Sequence, residues 1–567
     1  MTTDALPSEW LIHRLLREPG FSLSALPGYL TSLPQLLKSC GIGTLHLPAG
    51  TPLPYPTLRW RGIDGTELVV QTEVSPEPPR WHGELPSGTQ AGTSHGAAER
   101  ALRGAELFAA MAHAQLGLAY PKAELETLWA EIHDAPRVIP EAQALQETAL
   151  AALSSNIATR TDSVAVFNPT DTLRPGDAFR VRLPGDQVRK GRVLFTDREG
   201  EPLTSQFLRM VGKEREYLVL LLEVGALGYA TVGLDRTDAP ADESTVIAED
   251  NILENDFVRV TLNAHGEIAS LVHKTEDGER EALAATARLV TEDGAPLTNE
   301  AELVRFEVLE NGPVRASILV ERRFNSSTIT QRIQLWAHSA RVEISTEWSQ
   351  SEPPLSLKAE IPVAALASRA TYEIPFGAIE RPTYSNTGMP LSEVVGATWT
   401  DLSEGDFGVS ILAPSGAGCT VRENILALML EAPSTYAILP HTGDWRNETV
   451  DEAHALSEPL LARFAPKNPK ASLPPAYDFV SVDDQGLVIQ TIKRAEADEN
   501  TLVIRLYEAL QTRGEATLTF GFPIAAANET NSLEQNPVPV PFKGNTLTFP
   551  YRPFELKTFL VKRLRVL

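Results

Sequence analysis

Cysteine is nearly absent: Cys40 and Cys419 are the only two in 567 residues. Two thiols exclude a disulfide framework and any thiolate-held metal cluster. Long apolar runs are missing as well. The longest candidate, Tyr217–Val224, is strand-sized and carries Glu223, whereas a membrane helix needs about 20 apolar residues. The first residues, MTTDALPSEW, lack a basic stretch followed by an apolar one, so no secretion signal is expected and the cytoplasm is the expected address. Positive charge is scarce: 50 Lys and Arg face 74 Asp and Glu, a formal net charge of −24. That balance argues against nucleic acid, whose phosphates need clustered cations, and against an anionic membrane surface. An uncharged ligand is compatible with it. Gly-rich phosphate loops, Gly-x-Ser-x-Gly elbows and Cys/His triads are also missing.

What the chain does contain changes its hydrophobic period along its length. Residues 1–75 are mixed: LPQLLKSCGI reads as a short helix, and TLRWRGIDGTELVVQTEV as a strand, a tight turn and a strand. Asp64, between Gly62 and Gly65, reads as a turn residue. A proline-rich joint, Ser75–Trp81, follows. Residues 97–158 turn helical. Leu125, Leu128, Trp129 and Ile132 fall on one stripe, Leu145, Ala149, Ala152 and Leu153 on a second, and Leu107, Phe108 and Met111 on a third. Breaks near Gly117–Pro121 and Pro136–Pro140 predict a small three-helix bundle. From about Asp162 the period becomes two. In VRASILVER, Val314, Ala316, Ile318 and Val320 alternate with Arg315, Ser317, Leu319 and Glu321, as half-buried antiparallel strands require. Turn signals such as Asn263–Glu267 and Glu310–Pro313 separate such runs, and stacked β-sandwiches follow.

Seven phrases in the β region occur in an order that identifies a family. They are VFNPTD (Val166–Asp171), Leu253–Lys274, Glu310–Phe324, Ser327–Trp348, YEIPFGAIERPT (Tyr372–Thr383), YAILPHTGDWR (Tyr436–Arg446) and RPFELKTF (Arg552–Phe559). Together they resemble the post-catalytic portion of class II α-mannosidases, glycoside hydrolase family thirty-eight. The earlier segments LPSEWLIHRLL, GYLTSLPQLLKSCGI and LRWRGIDGTEL resemble pieces of that family's α/β domain, so Met1 is expected to correspond to a point well inside it. The expected architecture is multidomain and mainly β, with large antiparallel, galactose-mutarotase-like sandwiches. Its parts are a truncated α/β remnant at 1–75, a helical bundle at 76–160, a small β-sandwich at 161–245, a large β-sandwich at 246–465 and a C-terminal β domain at 466–567. The remnant is expected to be dispensable for the β region, with cleavage at Pro76–Pro79, or else repaired by packing through Leu33, Leu36 and Leu37.

The resemblance also implies a chemistry: a retaining, zinc-dependent hydrolysis with two carboxyl groups about 5 Å apart. Aligning on Gly28 and Tyr29 puts Ala25 where the family has its nucleophilic, metal-ligating Asp, and a methyl group does neither job. The first His-x-Asp metal pair would lie before Met1, and the acid/base segment is shortened to QTEVSPEPPR between Val70 and Trp81. His133 and Asp134, in EIHDAP, match the last metal ligand and a sugar-contacting residue. With their partners missing, the pair reads better as polar residues ending a helix, and no zinc or other cofactor is expected. His441, Asp444, Trp445 and Arg446 could line a sugar site by stacking and hydrogen bonding, but read better as a loop-closing framework. The remaining histidines read as isolated. Three functions follow from the resemblance. The favoured one is a noncatalytic relative that binds a mannose-containing glycan or an intact mannosidase. The second is an active enzyme, with a rebuilt site or completed by a separately encoded N-terminal half. The third is a decaying remnant.

Overall fold

A computed structural model describes residues 12–13, 32–46, 57–71, 80–82, 94–184, 192–221, 223–237, 244–292, 294–349, 355–384, 394 and 397–564. Ala25 and the Pro76–Pro79 joint lie outside the described residues. Near the N-terminus, the helix Leu33–Ser39 precedes a four-stranded sheet ordered Thr44–His46, Glu67–Gln71, Thr57–Arg61, Arg80–His82. Its central hairpin turns where Asp64 accepts the Thr66 amide at 2.8 Å, the role a turn aspartate has.

Three helices follow, Ser94–Leu116, Lys122–Ala130 and Ala135–Ser155. Their expected apolar stripes are buried along Leu107, Phe108, Met111, Leu125, Leu128, Trp129, Ile132, Ala149 and Leu153. The second break is not at Pro136–Pro140. The chain turns at Glu131–Asp134, Pro136 sits in the first turn of the last helix and Pro140 lies inside it. Pro136 costs nothing there, because first-turn amides have no intrahelical acceptor.

Everything beyond is β-sheet except the helix Thr449–Ser457 and a short 3₁₀ turn, among the described residues. The large sandwich sets a nine-stranded antiparallel sheet against two smaller ones. Its order is Glu302–Asn311, Arg315–Phe324, Ser327–Trp336, Val342–Trp348, Ser434–Thr442, Phe407–Leu412, Trp399–Glu404, Arg369–Ile374, Gly377–Pro382. Ala316, Ile318, Val320, Val342 and Ile344 face its core, as the two-residue period requires. Arg315 and Glu343, on the alternate positions, are nevertheless buried. Neighbouring domains cover that face: Gln206 accepts the Arg315 amide, and Arg341 holds Glu343 at 2.8 Å while reaching Glu452.

The expected boundaries at 245 and 465 do not separate the sheets. Leu461–Ala465 pairs with Ser163–Phe167, and Ala476–Asp478 pairs with Gly228–Thr237. The small sandwich is thus closed by strands that arrive over 200 residues later. Two further sheets, built from Val480 onward, form the C-terminal sandwich. The N-terminal segment is also not a loosely docked piece. Leu33, Leu36, Leu37, Leu58, Trp60, Leu68 and Val70 share one core with Leu125, Leu128 and Trp129 of the bundle and Phe376, Trp399 and Tyr507 of the sandwiches. Ser39 bonds Ser532 through both its carbonyl and its hydroxyl, the latter at 2.7 Å. The repair through Leu33, Leu36 and Leu37 is the arrangement present.

Candidate functional site

His133 and Asp134 occupy the turn between the second and third bundle helices, and both side chains are exposed while the adjoining Ile132 is fully buried. Asp134 stands at the cap of Ala135–Ser155 without a capping bond from its side chain. Arg137 spans Glu131 and Glu141, at 2.5 and 3.0 Å, on the same surface. A zinc ion takes about four ligands. Among the described residues no three His, Cys, Asp or Glu side chains come together to hold a metal, so the donors present do not fit the zinc that the resemblance implies.

The second sequence candidate is closed off by packing. His441 has no exposed surface; its Nε2 lies 2.8 Å from Asp401 Oδ1 and 3.3 Å from Ser410 Oγ. Burial draws its pKa down, but the hydrogen bond and charge of Asp401 outweigh that and raise it overall. Asp, His and Ser are together here, yet not as a nucleophilic triad, which uses opposite ring nitrogens for its acid and its serine. Trp445 is 2% exposed and stacks on Trp399 with centroids 5.0 Å apart. The Arg446 guanidinium lies over the Trp445 ring, bonding Asp444 at 2.6 Å and the Leu510 carbonyl at 3.0 Å. The cluster joins the large and C-terminal sandwiches. His13 is also not isolated: it is buried, stacks on Trp129 at 4.2 Å and lies 3.6 Å from Glu106.

A cavity of about 390 Å³ opens where the bundle, all three sandwiches and the helix Thr449–Ser457 converge. Arg100 and Arg103 reach it from Ser94–Leu116, one turn apart on a single face. Arg103 contacts Glu458 Oε1 and the Gln490 carbonyl, each at 3.4 Å, and Arg100 donates to the Pro414 carbonyl. The Thr398 amide and hydroxyl both donate to Glu373 at 2.5 Å. Asp171 closes one wall, accepting the Ile489 amide; burial raises its pKa to about 7. Glu373 is also raised by burial, which outweighs the Thr398 donors. His454 is pushed down to about 4, by burial first and then by Arg103, Arg174 and Arg100. The cavity therefore presents guanidinium donors beside the Asp171 and Glu373 carboxyl groups, whose pKa values burial raises, a mixed donor–acceptor surface suited to hydroxyl-rich ligands. No sequence spacing announces it, because segments hundreds of residues apart supply the side chains. Only the Arg100/Arg103 helical repeat was visible, and alone it is indistinguishable from a solvated face.

Known proteins align with this architecture. Residues 253–437 match the glycosyl hydrolases family 38 C-terminal domain, and residues 486–559 match the family 38 C-terminal beta sandwich domain. Alpha-mannosidase G of Dictyostelium discoideum is 29% identical over 378 residues, covering 59% of this chain and 34% of that protein. Alpha-mannosidase 2C1 of Homo sapiens is 30% identical over 389 residues, covering 60% and 37% respectively. The chain thus spans about a third of the length of these curated relatives. An alpha-mannosidase structure from Enterococcus faecalis V583 superposes with a TM-score of 0.76 at 15% identity, over 99% of this chain and 90% of that one, a likeness of fold. The ordered sequence phrases, the sandwiches they build and both domain matches agree on one ancestry: this chain carries the C-terminal domains of glycosyl hydrolase family 38 and is similar to class II α-mannosidases.

Proposed function

We propose that this chain is a noncatalytic family 38 protein that binds a mannose-containing glycan, in the cytoplasm and without a metal cofactor of its own. Ala25 at the nucleophile's position carries the reading. A side chain that neither attacks an anomeric carbon nor ligates zinc removes the covalent step of a retaining hydrolase. His133 and Asp134, exposed on their turn, leave the metal's role unfilled among the described residues. The central cavity falls within the ligand-pocket range of about 300–1,000 Å³ and supplies the place where hydroxyls exchange hydrogen bonds with Arg103, Glu373 and Glu458. A decaying chain would accumulate polar residues in its core; Leu33, Leu36, Leu37, Trp60 and Val70 are all apolar and buried.

The purified protein is expected to show no turnover of an aryl α-mannoside with zinc or cobalt added. Turnover that co-purifies with the chain and disappears in His133→Ala would overturn the reading. Calorimetric titration with α-linked mannobiose should give binding that Arg103→Met weakens about tenfold, the effect of losing one charged hydrogen-bonding partner. Thermal melts with zinc and with chelator should coincide, whereas a metal at a hundredfold excess over its Kd would add about 2.7 kcal/mol.

A second reading is favoured by one observation: the edge strands Thr44–His46 and Arg80–His82 are each only three residues long. A separately encoded N-terminal α/β half would extend these edges and restore an active α-mannosidase. Hydrolysis that requires both chains together would establish that reading in place of the first.

A further inference from the structure

The first strand of the nine-stranded sheet, Glu302–Asn311, has one hydrogen-bonded neighbour, Arg315–Phe324, and its other edge is open among the described residues. It is ten residues long and exposed along most of its length. Leu303, Val304, Val308 and Leu309 are 37%, 43%, 38% and 43% exposed. Soluble proteins blunt such edges with short strands, lysines or prolines. This strand contains neither lysine nor proline, and carries four exposed aliphatic side chains instead.

Its sequence is also self-complementary. Read outward from Phe306, LVRFEVL (Leu303–Leu309) gives arginine then valine then leucine one way, and glutamate then valine then leucine the other. We propose that two copies of this chain pair antiparallel along this edge, about a two-fold axis at Phe306. In that register Leu303 lies opposite Leu309, Val304 opposite Val308, and Arg305 opposite Glu307 of the second copy, each contact occurring twice. Directly opposed side chains share a face of a sheet, and over Arg305–Val308, where the strand alternates regularly, Phe306 and Val308 lie on one face. Phe306 already packs against the sandwich core, and the pairing continues that core across the axis. The opposite face carries a four-charge cluster of Arg305 and Glu307 from both copies. Within one chain Arg305 already pairs with Glu307, so the cluster is built from oriented charges.

The remaining opposed pair is Glu302 with Glu310. Both have cations of their own: Arg323 lies 3.1 Å from Glu302, while Arg315 and Arg332 hold Glu310 at 2.8 and 2.6 Å. Register irregularities between Leu303 and Arg305 and between Val308 and Glu310 bracket the stretch that pairs regularly. Val304 and Leu309 are the extra residues at these points, and such bulges twist the strand ends away, so the regular part of the contact is short and confined to the residues beside Phe306. A reversible dimer is the consequence, not an obligate one.

Sedimentation of the full chain over rising concentration tests this. The expected result is a monomer–dimer equilibrium between 61.8 kDa and twice that mass. Arg305→Glu places like charges opposite each other at two symmetric positions and should weaken the dimer about tenfold. Combining it with Glu307→Arg restores the complementarity and should restore the dimer. Val304→Lys, at an exposed position, should weaken it independently, and unchanged melting temperatures would show that the fold is intact. A chain that stays monomeric to its solubility limit, or a dimer indifferent to both Arg305→Glu and Val304→Lys, overturns the proposal. A charge swap that fails to restore the dimer overturns the register.

Discussion

Asp171 shows how one residue's environment decides its charge. It closes the VFNPTD phrase, and burial raises its carboxyl pKa from an ordinary value to about 7, against the favourable Ile489 amide bond. Between pH 4 and 7 the unfolded chain has released this proton while the folded chain retains it. Stability therefore falls as pH rises through that window and is level above it. Asp171→Asn keeps an oxygen acceptor for Ile489 and removes the charge. Its melting temperature should exceed the parent's at pH 8 and converge with it near pH 4, with a difference of at most about 4 kcal/mol at the upper end. Asp401 is the opposite case, since His441, Ser410 and Ser403 all depend on it. Asp401→Ala should cost about 3–5 kcal/mol, the price of stranding a buried partner, measured as a shift of the denaturation midpoint. Sequence reading brought His441 forward through its motif. It did not bring forward Asp401, 40 positions away, because the pair exists only through the pairing of Trp399–Glu404, Phe407–Leu412 and Ser434–Thr442.

At the scale of elements, the helix Leu33–Ser39 was legible from its apolar spacing, but its importance was not. Five of its seven residues are buried, Leu37 completely. Leu37→Ala should therefore destabilise the whole protein by about 2–5 kcal/mol, as a cavity in a shared core does. Deleting residues 1–75 would bare the Leu125–Trp129 face of the bundle. The expected outcome is a lower, broader melting transition and light-scattering evidence of association. A deletion variant that melts like the parent would show that the segment is dispensable after all. The bundle helices were equally legible, apart from the start of the last one. Pro136 and Pro140 read as a break, but Pro136 sits in the first turn, where a helix accepts proline without losing a bond, Pro140 lies inside the helix, and the break fell one turn earlier.

For the whole molecule, the return of Leu461–Ala465 and Ala476–Asp478 to the small sandwich matters most. A fragment of residues 246–567 leaves both strands without their sheet, so it should lack a cooperative unfolding transition. Co-expression with residues 1–245 should restore one, read by calorimetry of the purified pair. What the sequence determined by itself was local or inherited: strand and helix periods, turn residues such as Asp64, the order of family phrases, and alanine at position 25. Each depends on neighbours along the chain or on a pattern carried in order. Tertiary structure alone decided which strands complete which sheet, that the N-terminal segment shares the central core, and that Arg103, Asp171, Glu373 and Glu458 meet around one cavity. Those outcomes depend on burying faces from segments hundreds of residues apart, and hydrophobic burial is non-directional, so no local pattern records which distant face a given stripe will cover.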